Sequence, residues 1–293
     1  MNTQPVFRFA PSPNGLLHLG HAYSALVTDH LARVHDGRFL LRIEDVDGGR
    51  ARPEFEQQIF DDLRWLGLEW EEPVWKQSQH MENYAAALAK LDEMGLLYPC
   101  FATRKEIRHY HEQRNAALPH TPDGLPIYPH IYRDYPPEKA RRRIAAGEPH
   151  ALRLHMPKAM QLALQKVKRV CWQERQTNGD YQTICDPPEV WGDVVLARKD
   201  IPTSYTLAVV VDDALQGVTH VTRGEDLYHA TRLQRLLQIL LDLPEPLYFH
   251  HPLIADPTGR KLSKSERDVS LKALRATGLT PQEIRSQLPP LLF

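Results

Sequence analysis

The stretch VFRFAPSPNGLLHLGH, residues 6–21, decides the fold. Its first five residues are mostly apolar and predict a short strand, which Pro11, Pro13 and Gly15 break into a turn. Apolar residues three to five apart then predict a helix over residues 19–35, and a buried strand follows at 38–44. Strand, helix and strand within about 40 residues are typical of a βαβ unit and therefore of a parallel sheet.

Later segments continue this pattern. Helices are predicted at residues 55–66, 84–94 and 233–240. Strands are predicted at residues 194–198 and 219–223. The continuous apolar run LAVVV, residues 207–211, predicts another strand that is buried on both faces. We therefore expect an α/β fold, a doubly wound parallel, Rossmann-like nucleotide-binding sheet with a smaller mixed α/β insertion.

The middle of the chain predicts that insertion. It is rich in proline, histidine and arginine and shows weak periodicity. We expect residues 1–98 to form the first half of the sheet domain and residues 99–190 to form the insertion. Residues 191–293 then form the second half with a short C-terminal tail.

Composition limits the classes of partner. The 293 residues carry a formal net charge of −1, so any nucleic-acid surface must be a local patch. Residues 133–176 hold eleven Lys or Arg against four Asp or Glu. The run Arg141-Arg142-Arg143 is the candidate RNA surface, although such runs are more often solvated helix faces. No apolar stretch reaches the roughly 20 residues of a membrane helix, and no segment points to an obligate protein partner.

The N-terminus and the cysteines predict a cytoplasmic location. Residues 1–5 lack a basic region followed by an apolar run, so no signal peptide is expected. The spacing of Cys100, Cys171 and Cys185 does not suggest disulfides and suits a reducing cytosol.

The turn and the helix that follows suit a phosphate ligand. A triphosphate needs backbone N–H groups, a helix N-terminus and side-chain donors. His18 and His21 lie three residues apart, on one side of the first helical turn, and both can donate to phosphate oxygens. Gly20 leaves room for a nucleotide over the helix. Two ordinary surface histidines at a helix start are the alternative.

A second motif, Lys261-Leu262-Ser263-Lys264-Ser265, lies far downstream. We interpret it as a basic loop that closes over departing pyrophosphate, where lysine acts as a movable point charge. Alone it would usually be a solvated turn. Together the motifs predict a site that holds ATP with its Mg²⁺ and transfers the adenylyl group, with His18, His21 and Lys264 as catalytic residues. The expected ATP-binding residues are His18, Gly20, His21, Lys261 and Lys264.

These motifs resemble the signatures of class I aminoacyl-tRNA synthetases, in their glutamyl form. HLGH at residues 18–21, after RFAPSP, is similar to the HIGH signature, and residues 261–265 resemble the KMSKS loop. LRIEDVD at residues 41–47 is similar to the LRIEDTD of the glutamyl family. VVDD at 210–213 and THVTRGED at 219–226 resemble its VVDD and THVIRGED. The resemblance covers nearly all of the catalytic portion and is weakest in the expected insertion.

The resemblance implies a glutamate site. Arg8 and Arg223 are the implied carboxylate partners, because a guanidinium pairs bidentately with a carboxylate. Glu44 would hold the ammonium, and an arginine at position 223 favours glutamate over the neutral side chain that glutaminyl enzymes accommodate. Strand-end salt bridges are the alternative for Arg223 and Glu44. The implied glutamate-binding residues are Arg8, Phe9, Ala10, Pro11, Ser12, Glu44, Tyr205 and Arg223.

The chain departs from the family in the insertion. Glutamyl-type enzymes often bind zinc there through Cys-x-Cys and a later Tyr-x₃-Cys. Here Cys100 and Tyr128 are kept, but Ala102 and Tyr132 stand in place of the other two cysteines, and structural zinc normally needs four ligands. Four histidines that could substitute match no standard spacing: His109, His111, His120 and His130. We therefore expect no protein-bound metal, and zinc least of all.

Length suggests a subfamily. Full glutamyl-tRNA synthetases continue into anticodon-binding helices, whereas 28 residues follow Ser265. That pattern is similar to the glutamyl-Q tRNA(Asp) synthetases and implies a ligase that activates L-glutamate with ATP without tRNA. The glutamyl group then goes to queuosine at the wobble position of tRNA(Asp). Alternatives are an ordinary glutamyl-tRNA synthetase core, another adenylyl-forming nucleotidyltransferase, and an inactive RNA-binding paralog, against which His18, His21 and Lys264 argue.

Overall fold

The α/β architecture expected from the sequence is confirmed. The computed structural model describes residues 4–113, 119–254 and 269–291. The strands in these ranges are β1 (Val6–Phe9), β2 (Arg38–Ile43), β3 (Glu71–Lys76), β4 (Leu97–Cys100), β5 (Ala151–Leu154), β6 (Trp172–Arg175), β7 (Tyr181–Ile184), β8 (Val195–Ala197), β9 (His220–Gly224) and β10 (Leu247–His251). The helices are α1 (Leu19–Val34), α2 (Pro53–Trp65), α3 (Met81–Glu93), α4 (Arg104–Glu112), α5 (Pro137–Ala145), α6 (Met156–Lys166), α7 (Tyr205–Leu215), α8 (Thr231–Leu241), α9 (Leu271–Ala276) and α10 (Pro281–Ser286).

Seven strands form the large sheet, in the order β3-β2-β1-β9-β10-β6-β7. Neighbouring strands are parallel throughout, except that β7 runs antiparallel to β6. From β1 the chain builds outward through β2 and β3, and on the other side through β9 and β10. The strand order therefore reverses between β1 and β9, and ligands of such sheets bind at the carboxyl ends of the strands at this point.

Apolar clusters cover both faces of the large sheet. The adjacent residues Val6 and Phe7 of β1 belong to different clusters, since successive strand residues point to opposite faces. On the Phe7 side, α1 buries Leu26 and Leu31, and Ile284 of α10 joins the same cluster. No helix within the described ranges has both the length and the apolarity that crossing a bilayer requires.

Strands β4, β5 and β8 form a small antiparallel sheet. Its outer strands, Leu97–Cys100 and Val195–Ala197, lie at or just outside the two expected limits of the insertion. Strands β6 and β7 fall inside those limits but extend the large sheet through β10. A hairpin from the expected insertion thus belongs to the large sheet, and the domain division remains a prediction.

The expectation of a strand at residues 207–211 was wrong, because this run lies inside α7. Ser204 caps the helix, with its hydroxyl oxygen accepting from the Leu207 N–H at 3.4 Å. The apolar run is then buried in the cluster that α7 shares with α3, α6 and α8. Five consecutive apolar residues carry no periodicity, so a fully buried helix and a fully buried strand look alike in sequence.

The cysteine interpretation was also wrong, because Cys171 and Cys185 form a disulfide. They flank the β6–β7 hairpin, in which Trp172 pairs with Ile184, so the antiparallel register brings the two cysteines face to face. Their separation of 14 residues does not reveal this pairing without the hairpin. Cys100 is a buried free thiol.

A group of buried charges connects α7 to the parallel strands. Asp213 accepts from Arg8 Nε of β1 at 3.0 Å and from Arg42 Nη1 of β2 at 2.7 Å. Arg42 is fully buried. Burial alone would raise the pKa of the Asp213 carboxyl, but the Arg8 and Arg42 guanidinium groups hold it below its ordinary value. Because one carboxylate serves two strands, it fixes how α7 sits on the sheet.

The neighbouring Asp212 extends this connection to the outer strand and to α3. Its carboxylate accepts three hydrogen bonds, from Trp75 Nε1 at 3.1 Å, Gln77 Nε2 at 2.7 Å and the Tyr84 hydroxyl at 2.9 Å. The sequence motif VVDD therefore contributes two carboxylates that act inside the core, where every polar group needs a partner.

We predict that Asp213→Asn lowers the free energy of unfolding by about 3 kcal/mol, because the buried Arg8 loses its carboxylate partner and the buried Arg42 loses one of its carboxylates. The pKa of Asp213 is lowered by folding, so its contribution is fully present above about pH 4 and is lost as the pH falls through the folded-state pKa. Urea titrations should show that the difference in free energy of unfolding between the wild type and Asp213→Asn is smaller in acid than at pH 7. Asp200→Asn, an exposed carboxylate paired with Arg198, is the control, and equal effects would contradict the prediction.

Candidate active site

A cleft of about 500 Å³ opens at the carboxyl ends of β1 and β9. The turn after β1, the first turn of α1, the end of β2 and the segments after β9 and β10 line it. The structure brings together sequence-predicted residues that are up to 215 positions apart. They are Arg8, Phe9, Ala10, Pro11, Ser12, His18, Gly20, His21, Glu44, Tyr205 and Arg223. Lys261 and Lys264 lie outside the described residues.

The two histidines begin α1 by capping it reciprocally. His18 Nδ1 accepts from the Gly20 N–H at 3.1 Å, and the His18 N–H donates to His21 Nδ1 at 3.2 Å. These bonds satisfy backbone donors that a helix start leaves unpaired. Both Nδ1 atoms must be unprotonated to accept, so each neutral ring carries its proton on Nε2. The remaining donor of each ring is therefore its Nε2–H.

Gly20 has a steric role that the sequence did not reveal. A Cβ built on Gly20 would lie 2.9 Å from His18 Cε1 and 3.1 Å from His18 Nδ1. Real Cβ atoms do not approach a ring that closely, so any larger residue displaces the His18 ring. The glycine is therefore needed for the capping histidine, and its role in leaving space for a nucleotide remains a prediction.

Arg223 is held by the protein at two of its three nitrogens. Its Nε donates to His250 Nε2 at 3.0 Å, and its Nη2 donates to Thr231 Oγ1 at 2.7 Å. Its Nη1 is buried and has no hydrogen-bond partner among the residues that the structure describes. A buried charged donor without a partner is costly, and a ligand oxygen can satisfy it. Within the same ranges Arg223 forms no ion pair, whereas Glu44 pairs with Arg42 at 3.3 Å, so the strand-end salt-bridge alternative applies to Glu44 and not to Arg223.

Arg8 and Glu44 are both engaged inside the protein. Arg8 pairs with Asp213 and also donates through Nη1 to the Thr222 carbonyl at 3.4 Å. Glu44 accepts from Arg42 Nη2 at 3.3 Å. Burial raises the pKa of Glu44, and the positive charges of Arg42 and Arg8 oppose that rise. The cleft is therefore lined by a carboxyl group just after β2 and by the guanidinium groups of Arg8 and Arg223.

A second cleft of about 130 Å³ adjoins the first. The two share Ser12, Asn14, Glu44 and Tyr205 in their walls. The second cleft is also lined by Asp47, Arg50 and Arg198. Asp47 Oδ2 accepts from Arg50 Nε at 2.9 Å and from Arg198 Nη1 at 3.3 Å. Sequence reasoning did not find this cleft, because residue 198 comes close to the β2 loop only in the folded chain.

Sequence reasoning also missed polar residues at the end of β10. His250 contacts Arg223, and His251 lines the main cleft. His251 Nδ1–H donates to the Pro252 carbonyl at 3.0 Å, while its buried Nε2 has no partner in the described part of the chain. The signal that could have found them is FHHPL at 249–253, in which polar residues follow a strand towards its carboxyl end.

The expected remnant of a zinc site is an aromatic cluster. Cys100 Sγ donates to the Tyr128 hydroxyl at 3.4 Å, and Ala102 and Tyr132 pack in the same cluster. The Arg153 guanidinium lies 3.8 Å from the centre of the Tyr128 ring. No group of three or more His, Cys, Asp or Glu is placed to hold a metal ion in residues 4–113, 119–254 and 269–291.

The candidate RNA run is partly engaged within the protein. Arg141 pairs with Glu138, and Arg143 pairs with Glu148. The Arg143 guanidinium also lies 4.0 Å from the centre of the Phe101 ring. These contacts reduce the charge that the run can offer to phosphate, and its role in RNA binding remains a prediction.

We predict that Gly20→Ala reduces amino-acid-dependent exchange between ATP and pyrophosphate about tenfold, a loss of roughly 1.4 kcal/mol, because the His18 ring must move. The fold should persist, since alanine favours a helix by roughly 1 kcal/mol over glycine. Gly48→Ala is the matched control, because nothing lies within 4 Å of its Cβ position. If both Gly20→Ala and Gly48→Ala keep the wild-type exchange rate, the close approach of residue 20 to the His18 ring does not matter for activity, and the prediction is contradicted.

The comparisons with known proteins agree with this geometry. The family model described as "tRNA synthetases class I (E and Q), catalytic domain" matches residues 5–289. A glutamyl-Q tRNA(Asp) synthetase of Rhodobacter capsulatus is 44% identical, over 96% of this chain and 98% of that protein. A glutamate–tRNA ligase of Aquifex aeolicus is 36% identical, over 96% of this chain and 56% of that protein.

A solved structure has the same fold. A glutamate tRNA ligase from Elizabethkingia meningosepticum, in complex with its amino acid, aligns with a TM-score of 0.71 at 28% identity. The alignment covers 89% of this chain and 52% of that chain, so this protein spans about half the length of that ligase. The expectation from the sequence motifs is confirmed: the chain belongs to the class I tRNA synthetases of the E and Q type and carries their catalytic domain.

Proposed function

We propose that this protein is a glutamate-activating ligase that forms glutamyl-adenylate from L-glutamate and ATP without tRNA. It then transfers the glutamyl group to queuosine at the wobble position of tRNA(Asp). We further propose that it acts in the cytoplasm. The names of two relatives support L-glutamate and tRNA(Asp) as substrates. One relative is a glutamyl-Q tRNA(Asp) synthetase, and another is a glutamate–tRNA ligase.

The observation that carries the proposal is Arg223, which lines the main cleft and whose buried Nη1 has no hydrogen-bond partner among the described residues. Its other two nitrogens are occupied, so the group is already oriented and its remaining donor suits one carboxylate. Glu44 faces the same cleft and would pair with an ammonium group. A ligand with a carboxylate and an ammonium fits these charges, and a second carboxylate is left for reaction. Arg8, Phe9, Ala10, Pro11, Ser12 and Tyr205 complete the proposed glutamate site.

The proposed first step joins the two substrates in the main cleft. A glutamate carboxylate oxygen attacks the α-phosphorus of ATP, the bond to the bridging oxygen breaks, and pyrophosphate leaves. The N-terminus of α1 and the Nε2–H donors of His18 and His21 would stabilise charge on the phosphates. Lys261 and Lys264 remain the proposed lysines of this step, and Mg²⁺ is proposed to arrive with ATP.

The second cleft supports the transfer step. It meets the main cleft at Ser12, Glu44 and Tyr205, which is the proposed glutamate end. A nucleophilic group of the tRNA that enters there would attack the carbonyl carbon of the adenylate, and AMP would leave. An ordinary glutamyl-tRNA synthetase core would use the same geometry with a different acceptor, so the acceptor must be measured.

We predict that Arg223→Ala raises the KM for glutamate at least tenfold and leaves the KM for ATP within about twofold, because it removes only the carboxylate partner. The assay is glutamate-dependent exchange between ATP and pyrophosphate. Arg33→Ala, which removes an exposed guanidinium on α1 that pairs with Asp29, should leave both constants unchanged. Equal losses for both substrates in Arg223→Ala would count against a glutamate-specific role.

We predict that labelled glutamate, with ATP, is transferred to tRNA from cells that make queuosine and not to tRNA from cells that cannot. Hybrid selection of the labelled pool should recover tRNA(Asp). Equal labelling of both pools would indicate an ordinary glutamyl-tRNA synthetase. Absence of both transfer and ATP–pyrophosphate exchange would indicate the inactive paralog.

A further inference from the structure

A line of hydrogen bonds reaches Arg223 from outside the cleft. Arg223 Nε donates to His250 Nε2 at 3.0 Å, and His250 Nδ1 lies 2.9 Å and 3.0 Å from the two carboxylate oxygens of Glu174. Glu174 belongs to β6, in the segment expected to be the insertion. Three strands, β9, β10 and β6, therefore each contribute one residue to this line.

Two hydrogen bonds besides those to the histidine ring hold the Glu174 carboxylate in place. Its Oε1 accepts from the His250 backbone N–H at 2.9 Å, and its Oε2 accepts from Trp172 Nε1 at 3.0 Å. The residue is buried, with 6% of its surface exposed. Burial alone would raise its pKa, but the bonds from His250 and Trp172 hold the pKa below its ordinary value. Glu174 is thus an ionised, oriented acceptor.

The carboxylate decides which nitrogen of His250 carries the proton. Since Glu174 can only accept, Nδ1 must donate to it, and Nε2 is then a bare acceptor for Arg223 Nε–H. A proton on Nε2 would face the guanidinium donor instead. Burial lowers the pKa of His250 to about 4, so the ring is neutral at pH 7 and only its tautomer is in question.

The line has a direct effect on the direction of Arg223. A guanidinium is planar, so fixing Nε and Nη2 fixes where Nη1 points. His250 fixes the first and Thr231 the second. Loss of the His250 contact would leave the guanidinium held by a hydrogen bond at one nitrogen only, and its orientation would be less well defined. The donor left for a ligand would then be poorly oriented.

We propose that Glu174 and His250 are positioning residues that hold Arg223 in the orientation in which it binds a ligand carboxylate. They set the affinity for glutamate without touching it. The line places a structural determinant of the amino-acid site in β6, on the segment between the two halves of the sheet domain. The identity of the ligand, glutamate, rests on the proposed function. The tautomer of His250 rests on the geometry alone.

The kinetic test compares four variants in ATP–pyrophosphate exchange. His250→Ala and Glu174→Ala should each raise the KM for glutamate about tenfold, with the KM for ATP within about twofold of the wild type. His250→Gln should recover much of the loss, because an amide oxygen can accept from Arg223 Nε–H. Glu174→Gln should have an intermediate effect, because its amide N–H₂ group cannot accept a hydrogen bond and its one remaining oxygen cannot replace both carboxylate oxygens towards Trp172 and His250. Glutamate KM values of the two alanine variants within twofold of the wild type would overturn the proposal.

Two controls separate positioning from general damage. Glu148→Ala removes another carboxylate from the segment 99–190, where it pairs with Arg143, and should leave the glutamate KM unchanged. Thermal midpoints of all variants report on folding. A rise in the ATP KM equal to that for glutamate, or no recovery in His250→Gln when that variant is folded, would also overturn the proposal.

The tautomer can be read without any activity. In the intact protein with ¹⁵N-labelled histidine, long-range ¹H–¹⁵N spectra at pH 7 should show His250 with a protonated Nδ1 and a bare Nε2. The His250→Gln spectrum assigns the signal. A protonated Nε2 could not accept from Arg223 Nε–H and would overturn the proposal even if the enzyme is active. If the wild type shows no glutamate-dependent exchange, the proposed function fails. The spectrum still tests whether the hydrogen bonds run from His250 to Glu174 and from Arg223 to His250 as proposed.

Discussion

The structure depends on the pairing of Asp213 with the buried guanidinium groups of Arg8 and Arg42. A fully buried arginine is tolerable only when its charge is paired inside the protein. Here one carboxylate on α7 meets guanidinium groups from two adjacent parallel strands. The helix that carries it also begins with Tyr205, which lines both clefts. The constraint that fixes the core therefore also fixes one wall of the site.

The sequence predicted the parts of the fold whose signals are local. The βαβ unit follows from a turn between two apolar runs, whereas Arg8, Glu44 and Arg223 were grouped into one site because the motifs resemble those of the glutamyl family. The helix at residues 205–215 was misread, because burial on all sides removes periodicity. The Cys171–Cys185 bridge and the membership of β6 in the large sheet depend on long-range pairing that spacing does not encode.

The same limit applies within the site. Motifs gave the residues that face the cleft, but not the partners that orient them. The Gly20 contact with His18, the Thr231 contact with Arg223 and the Asp47 contact with Arg198 join residues whose proximity is set by the backbone path. Cys100 and Tyr128 were found as a degenerate metal motif, whereas the packing of Ala102 and Tyr132 beside them is visible only in three dimensions.

The wall between the two clefts restricts how the protein can vary. Ser12, Glu44 and Tyr205 each present atoms to both spaces, whereas Arg50 and Arg198 line only the smaller one. Under the proposed reaction, a substitution in this wall affects both glutamate activation and transfer of the glutamyl group. Substitutions there therefore cannot change one step without the other. Divergence towards a new acceptor is then easiest on the far side of the smaller cleft, where amino-acid activation is left untouched.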